Sequence, residues 1–139
     1  MKLFFITIVV LLMTGLGGCD SLNHRQYLLS QEQTKTQEKE ISKELSNLLA
    51  PVIEKYNLVN SEKDAKAEGV LLYYKSKSNF PIQFGARTTN KGIVVDLIHF
   101  HPGPGETKEY SEIVNDVVEA LKQAKSFTFV ELDYKSQIK

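Results

Sequence analysis

The stretch Phe80–Phe100 reads FPIQFGARTTNKGIVVDLIHF and carries two adjoining strand signals. Gly92–Phe100 (GIVVDLIHF) is dense in β-branched and aromatic residues and is the strongest strand signal in the chain. Upstream, Phe80, Ile82, Phe84 and Ala86 recur at every second position, so Phe80–Arg87 reads as a strand with one apolar face. Pro81 has no N–H to give a ladder, which confines that strand to a sheet edge or makes the proline its start. Thr89-Asn90-Lys91-Gly92 is a turn in which Gly92 supplies a positive φ. The two strands are expected to form an antiparallel hairpin.

Outward from the hairpin the pattern alternates between strand and helix. Val70–Lys75 (VLLYYK) is a short strand, and the charged run Ser61–Glu68 before it is a loop with at most one helical turn. Ile41, Leu45, Leu48, Leu49, Val52, Ile53 and Tyr56 recur at three- and four-residue spacing, which predicts a helix over about 38–57. Pro51 falls inside it and would leave the Asn47 carbonyl unpaired, so a bend or break is expected there, at about 3 kcal/mol. Pro102-Gly103-Pro104-Gly105 ends the strong strand. Tyr110, Ile113, Val114, Val117, Val118, Leu121 and Ala124 then form the stripe of a second helix over 108–124. Phe127–Tyr134 (FTFVELDY) is the last strand. The order α-β-β-β-α-β predicts an α+β fold with two layers: a mainly antiparallel sheet of about four strands, with two helices on one face. Residues 38–139 form a single domain on this reading.

The chain has 139 residues, with 17 Lys and Arg balanced by 17 Asp and Glu. That length suits one domain with an appended arm. Zero net charge argues against a nucleic-acid partner, which normally calls for a basic excess. A single Cys excludes an intrachain disulfide and a multi-cysteine zinc site. Tyr73, Tyr74, Phe80 and Phe84 read as core and sheet residues, not as a base-stacking platform. No dinucleotide fingerprint, P-loop or Gly-x-Ser-x-Gly elbow is present.

The amino-terminal segment MKLFFITIVVLLMTGLGGC has one basic residue, Lys2, and an apolar run from Leu3 to Met13. Such a run spans about 16 Å as a helix, too short for a hydrocarbon core of roughly 30 Å, and reads as a secretory signal. Leu16-Gly17-Gly18-Cys19 resembles the lipobox of bacterial lipoproteins. The resemblance implies a signal peptide over 1–18, diacylglycerol modification of Cys19, and cleavage that makes Cys19 the new terminus. The partner so implied is a membrane, engaged through the N-terminal lipid; two acyl chains anchor firmly where one is marginal. Asp20 resembles the enterobacterial sorting signal for retention at the inner membrane, facing the periplasm. In a cell with one membrane the same anchor would expose the domain outside. Residues 19–37, mostly polar, are expected to be the lipidated Cys and a tether, with His24 solvated within it.

One constellation is chemical. His99 and His101 lie two apart and so face one way at the end of a strand. Paired imidazoles suit a divalent metal that finds a third ligand, with Glu106, Glu109, Glu112 and Asp116 as candidates downstream. His99-x-His101-Pro102 followed by a helix and a strand resembles JAMM-type zinc isopeptidases. The resemblance implies zinc on His99, His101 and an acidic residue, here Glu112, with Glu68 as general base. The positions that family fills with Ser and Asp are Glu109 and Glu112 in this chain. The same residues also read structurally: His99 continues the Ile93, Val95, Leu97 face, and His101 adjoins a Pro-Gly turn. Asp96, in mid-strand, reads as lying on the open sheet face or paired with a Lys.

These readings favour a membrane-anchored envelope lipoprotein whose small domain binds a protein or other envelope ligand without catalysis and without a cofactor. The expected contact surface is the uncovered sheet face or 76–91. The competing readings are a zinc-dependent hydrolase on His99 and His101, and an anchored immunity or inhibitor protein.

Overall fold

The computed structural model describes residues 20–30 and 36–133. The elements run β1 (Asp20–Ser30), α1 (Thr36–Lys55), β2 (Val59–Asn60), β3 (Val70–Lys75), β4 (Ile82–Thr89), β5 (Gly92–Pro102), α2 (Lys108–Leu121) and β6 (Thr128–Leu132). A one-turn 3-10 helix, Glu62–Asp64, sits in the charged loop. The fold is α+β, with two helices and a six-stranded antiparallel sheet in the order β2-β3-β4-β5-β1-β6. No helix among the described residues is long and apolar enough to cross a membrane. The signal segment and Cys19 lie outside the described residues.

The hairpin forms as expected, with Thr89 opposite Gly92 and Ile82 opposite His99. Pro81 stands just before the first residue of β4. That strand is interior, between β3 and β5, so the proline marks its start and costs the ladder nothing. Gly92 has φ +130°, and a Cβ there would lie 2.8 Å from the Leu29 carbonyl oxygen, so both backbone and neighbour demand glycine.

The sheet has six strands where about four were expected. One addition is the two-residue β2, paired with the end of β3. The other is a correction: Asp20–Ser30, read as tether, is one of the two longest strands. It pairs with β5 from Asp20 opposite Pro102 to Leu29 opposite Ile93, and with β6 from Gln26 opposite Leu132 to Ser30 opposite Thr128. Tyr27 and Leu29 are almost fully buried, and Tyr27 meets Phe129 of β6 edge-on with ring centroids 5.9 Å apart. His24 is correspondingly a sheet residue and not a solvated one.

Alternate sheet residues share one core with both helices. Tyr27, Leu29, Leu72, Ile82, Phe84, Ala86, Ile93, Val95 and Leu97 pack with Ile41, Leu45, Leu49 and Val52 of α1 and with Tyr110, Ile113, Val117 and Leu121 of α2. Helix α1 runs through Pro51 without the break that was one of the two expected outcomes. Pro51 and Asn47 are both exposed, so water can take the carbonyl that the proline cannot serve. The helix ends in a Schellman motif: Asn57 takes φ +49°, its N–H donates to the Glu54 carbonyl at 3.1 Å, and the Leu58 N–H donates to Ile53 at 3.0 Å.

A tether is dispensable and an interior strand is not. Burying Tyr27 and Leu29 is worth roughly 1.5–3 kcal/mol each, a large share of a typical stability of about 5–15 kcal/mol. A chain beginning at residue 31 is therefore expected to lack cooperative thermal unfolding by circular dichroism. A sharp, native-like transition in that chain would return residues 20–30 to the role of spacer.

Candidate functional site

Strand alternation sends the residues of β5 to two different environments. His99 and His101 turn toward the core side and are buried, with rings stacked at 4.7 Å. His99 also stacks on Tyr110 at 5.7 Å. His99 Nε2 donates to the Phe80 carbonyl at 3.2 Å, and the Thr107 hydroxyl donates to His99 Nδ1 at 3.3 Å. Burial, and then the neighbouring His101, holds the His99 ring below the ordinary histidine range, which suits this neutral tautomer. Both nitrogens of His101 lie 2.9 Å from carbonyl oxygens, those of Pro102 and Gly105. The Asn23 amide donates to the same Gly105 oxygen at 3.0 Å, and the Ser21 hydroxyl donates to Gly103 at 2.6 Å. The histidine pair thus fastens the Pro-Gly loop to the end of the sheet.

Of the residues predicted to complete a zinc site, Glu109 acts on His99 through its charge, and the others have partners or places of their own. Glu112 is exposed on α2 and pairs with Lys108 at 3.7 Å. Glu68 is exposed and immediately precedes Gly69, whose carbonyl accepts from Thr88 near the start of β5. That is six residues down the strand from His99, about 20 Å at the rise of a β-strand. Glu106 bonds Arg25 and Ser111, and Asp116 bonds Lys55 and Tyr56. Among the described residues no three His, Cys, Asp or Glu side chains come together at metal-binding separation. The ring nitrogens of the histidine pair face protein oxygens, those of Phe80, Thr107, Pro102 and Gly105.

The opposite side chains of the sheet build a different cluster. Asp96, opposite Gln26 and Gly85 in the two ladders, is only 17% exposed at its side chain. His24 Nε2 donates to its Oδ1 at 2.9 Å and Gln26 Nε2 donates to the same oxygen at 2.7 Å. Arg87 Nε approaches Oδ2 at 3.4 Å. Burial alone pushes the Asp96 carboxyl up, but the bonds from His24 and Gln26 and the charges of His24 and Arg87 outweigh it. The group ends below the usual carboxylate range. Asp96 was expected on the open sheet face or paired with a Lys; its partners are a His, an amide and an Arg.

This cluster lines one wall of a cleft of about 630 Å³. Gln83, Gly85 and Arg87 of β4 and Tyr73 and Lys75 of β3 continue the lining, and the segment from Asp64 to Ala67 overhangs it. The floor is low at Gly85, where the Tyr73 ring lies 3.2 Å from the place of a missing Cβ. The Tyr73 hydroxyl donates to Gln83 Oε1 at 2.6 Å. His24, Gln26 and Arg87 were not singled out from sequence. The signal that would have found them is a mid-strand Asp in need of partners, set against the alternating His24 and Gln26. A scan against protein-family models finds no match, and a search of curated proteins finds no similar sequence.

Asp96→Ala leaves His24, Gln26 and Arg87 without their shared acceptor and is expected to destabilise the domain by about 1–3 kcal/mol in urea unfolding. A depressed carboxyl stabilises the fold above its unfolded pKa and loses that contribution as pH falls through the carboxylate range. The gap between wild type and Asp96→Ala should therefore close on acidification below that range; a gap independent of pH would show that the charge of Asp96 does not matter. Metal analysis of untagged protein is expected to return substoichiometric zinc, unchanged by His101→Ala. One zinc per chain, lost in that variant, would restore the histidine pair as a metal centre.

Proposed function

We propose that this chain is a membrane-anchored envelope lipoprotein whose small domain binds a protein segment or another envelope ligand without catalysing a reaction. In this reading Cys19 carries the lipid, Asp20 is the sorting residue, and the domain has two layers, with both helices on one face of the sheet and the cleft on the other. The observation that carries the binding role is the Asp96 cluster. A partly buried carboxylate with His24, Gln26 and Arg87 lies in a cleft large enough for a few side chains of a partner. Concave sites that combine apolar lining with a few fixed polar groups are the usual form of a recognition surface. The cleft offers Tyr73 and Ile98 as apolar contacts and Lys66, Arg87 and Asp96 as charged ones. Among the described residues that line it there is no Ser, Thr or Cys to pair with the His24 imidazole.

The test places a photo-crosslinking residue at Lys66, on the cleft rim, or at Lys122, beyond the end of α2, in the chain expressed with its own signal segment. A single discrete adduct is expected from position 66 and none from position 122. Arg87→Glu should abolish it by reversing the charge of the cleft. Equal adducts at both positions, or an adduct indifferent to Arg87→Glu, would remove the cleft from the binding surface. Cys19→Ala in the same cells should move the protein out of the membrane fraction.

A further inference from the structure

We infer that the end of the sheet bearing Leu22, Phe100 and Phe80 rests in the lipid interface, so that the domain lies directly against the bilayer and does not stand off from it. The inference rests on the lipoprotein reading of Cys19 and adds to it a second, non-covalent contact with the same membrane. Asp20 is already a strand residue, paired with Pro102, and Cys19 is its covalent neighbour. One peptide unit spans about 3.8 Å, so no spacer separates a lipid on Cys19 from the sheet.

Large apolar side chains are exposed where that connection places them. Leu22 is 60% exposed and Phe100 50%, and the two are direct cross-strand partners. Phe80 is 45% exposed and is tied to the same end of the sheet through the bond between its carbonyl and His99. At about 3.3 Å per residue Leu22 lies roughly 10 Å from Cys19. Interfacial segments bury their apolar side chains about 5–10 Å into the boundary between headgroups and acyl chains, so this distance brings the pair within reach of it. The adjoining loop adds Pro102 and Pro104. It is fixed to β1 by the Ser21 bond to Gly103 and the Asn23 bond to Gly105. The apolar rim therefore has a set shape, at the end of the molecule where the chain leaves for the anchor.

The same sheet contains its own control. Val130 is 52% exposed and pairs with Leu28, so it shares a sheet face with Leu22 and Phe100. Leu28 is nine residues from Cys19, about 30 Å along the strand, beyond the reach of the interface. A generic exposed apolar residue and a membrane-resting one are thus distinguished by position alone.

The chain contains no Trp, so a single introduced indole is an unambiguous reporter. Phe100→Trp, Leu22→Trp and Val130→Trp are made in the full chain, and the mature membrane-extracted proteins are reconstituted into vesicles of phosphatidylethanolamine and phosphatidylglycerol with brominated acyl chains. Intact mass reads acylation at Cys19 separately. The expected result is an acylated chain whose fluorescence is quenched several-fold more at positions 100 and 22 than at 130. Acylated protein with equally weak quenching at all three positions would overturn the docking and leave the anchor standing. A protein without the acyl mass would overturn both.

Discussion

The structure turns on the need of Asp96 for partners. It sits in the middle of the most apolar strand, where a carboxylate withdrawn from water is costly unless hydrogen bonds replace its hydration. Those bonds come from both neighbours of β5: Arg87 from β4, and His24 and Gln26 from β1. Tyr27 and Leu29, at the intervening positions of β1, enter the core. Slipping β1 by one residue would put His24 and Gln26 among the apolar side chains and Tyr27 opposite the polar cleft. The register of this strand is therefore specified twice, once by each face.

An ordered β1 changes what the anchor means. A flexible polar spacer of the length first read from the sequence would let the domain wander by about 20–25 Å from its attachment. If Cys19 carries a lipid as proposed, a strand beginning at Asp20 removes that freedom. Under the lipoprotein reading, His24 lies about 15–20 Å from the acyl chains along the strand. A partner that enters the cleft then meets it close to the bilayer, which favours membrane-borne or membrane-adjacent ligands over ones free in bulk solvent.

Most of the fold was legible where hydropathy and period agreed. The β4–β5 hairpin, the stripe of α2 and the stripe of α1 each bury the residues that their spacing selects, and β3 and β6 fall where β-branched and aromatic residues cluster. β1 was not legible because its apolar signal is confined to one end. Ser21, Asn23 and Arg25 occupy core-side positions but meet a polar loop and two carboxylates, those of Glu106 and Glu131. His24 and Gln26 occupy the other face and answer Asp96. From Ser21 to Gln26 each polar residue is matched to a polar partner far away in sequence, and such matching leaves no period in hydropathy. The site was hidden for the same reason: its residues come from β1, β4 and β5, and only the sheet order brings them together.

The histidine pair shows the converse, a conspicuous motif with a structural use. A ring that donates from Nε2 to the Phe80 carbonyl and accepts at Nδ1 from Thr107 has spent both nitrogens. Thr107 in turn accepts the Tyr110 N–H as the cap of α2, so its hydroxyl proton is free to point at His99. One neutral imidazole thereby joins the start of β4, the end of β5 and the first turn of α2. His101, with both ring nitrogens 2.9 Å from carbonyl oxygens of Pro102 and Gly105, sits against the Pro-Gly loop between them. A metal bound here would have to take lone pairs from a ring already oriented by the helix cap, or displace the carbonyls that close the loop. His-x-His at a strand end is what zinc chemistry asks for, but here the same spacing meets the polar demands of a sheet end where three elements begin or finish.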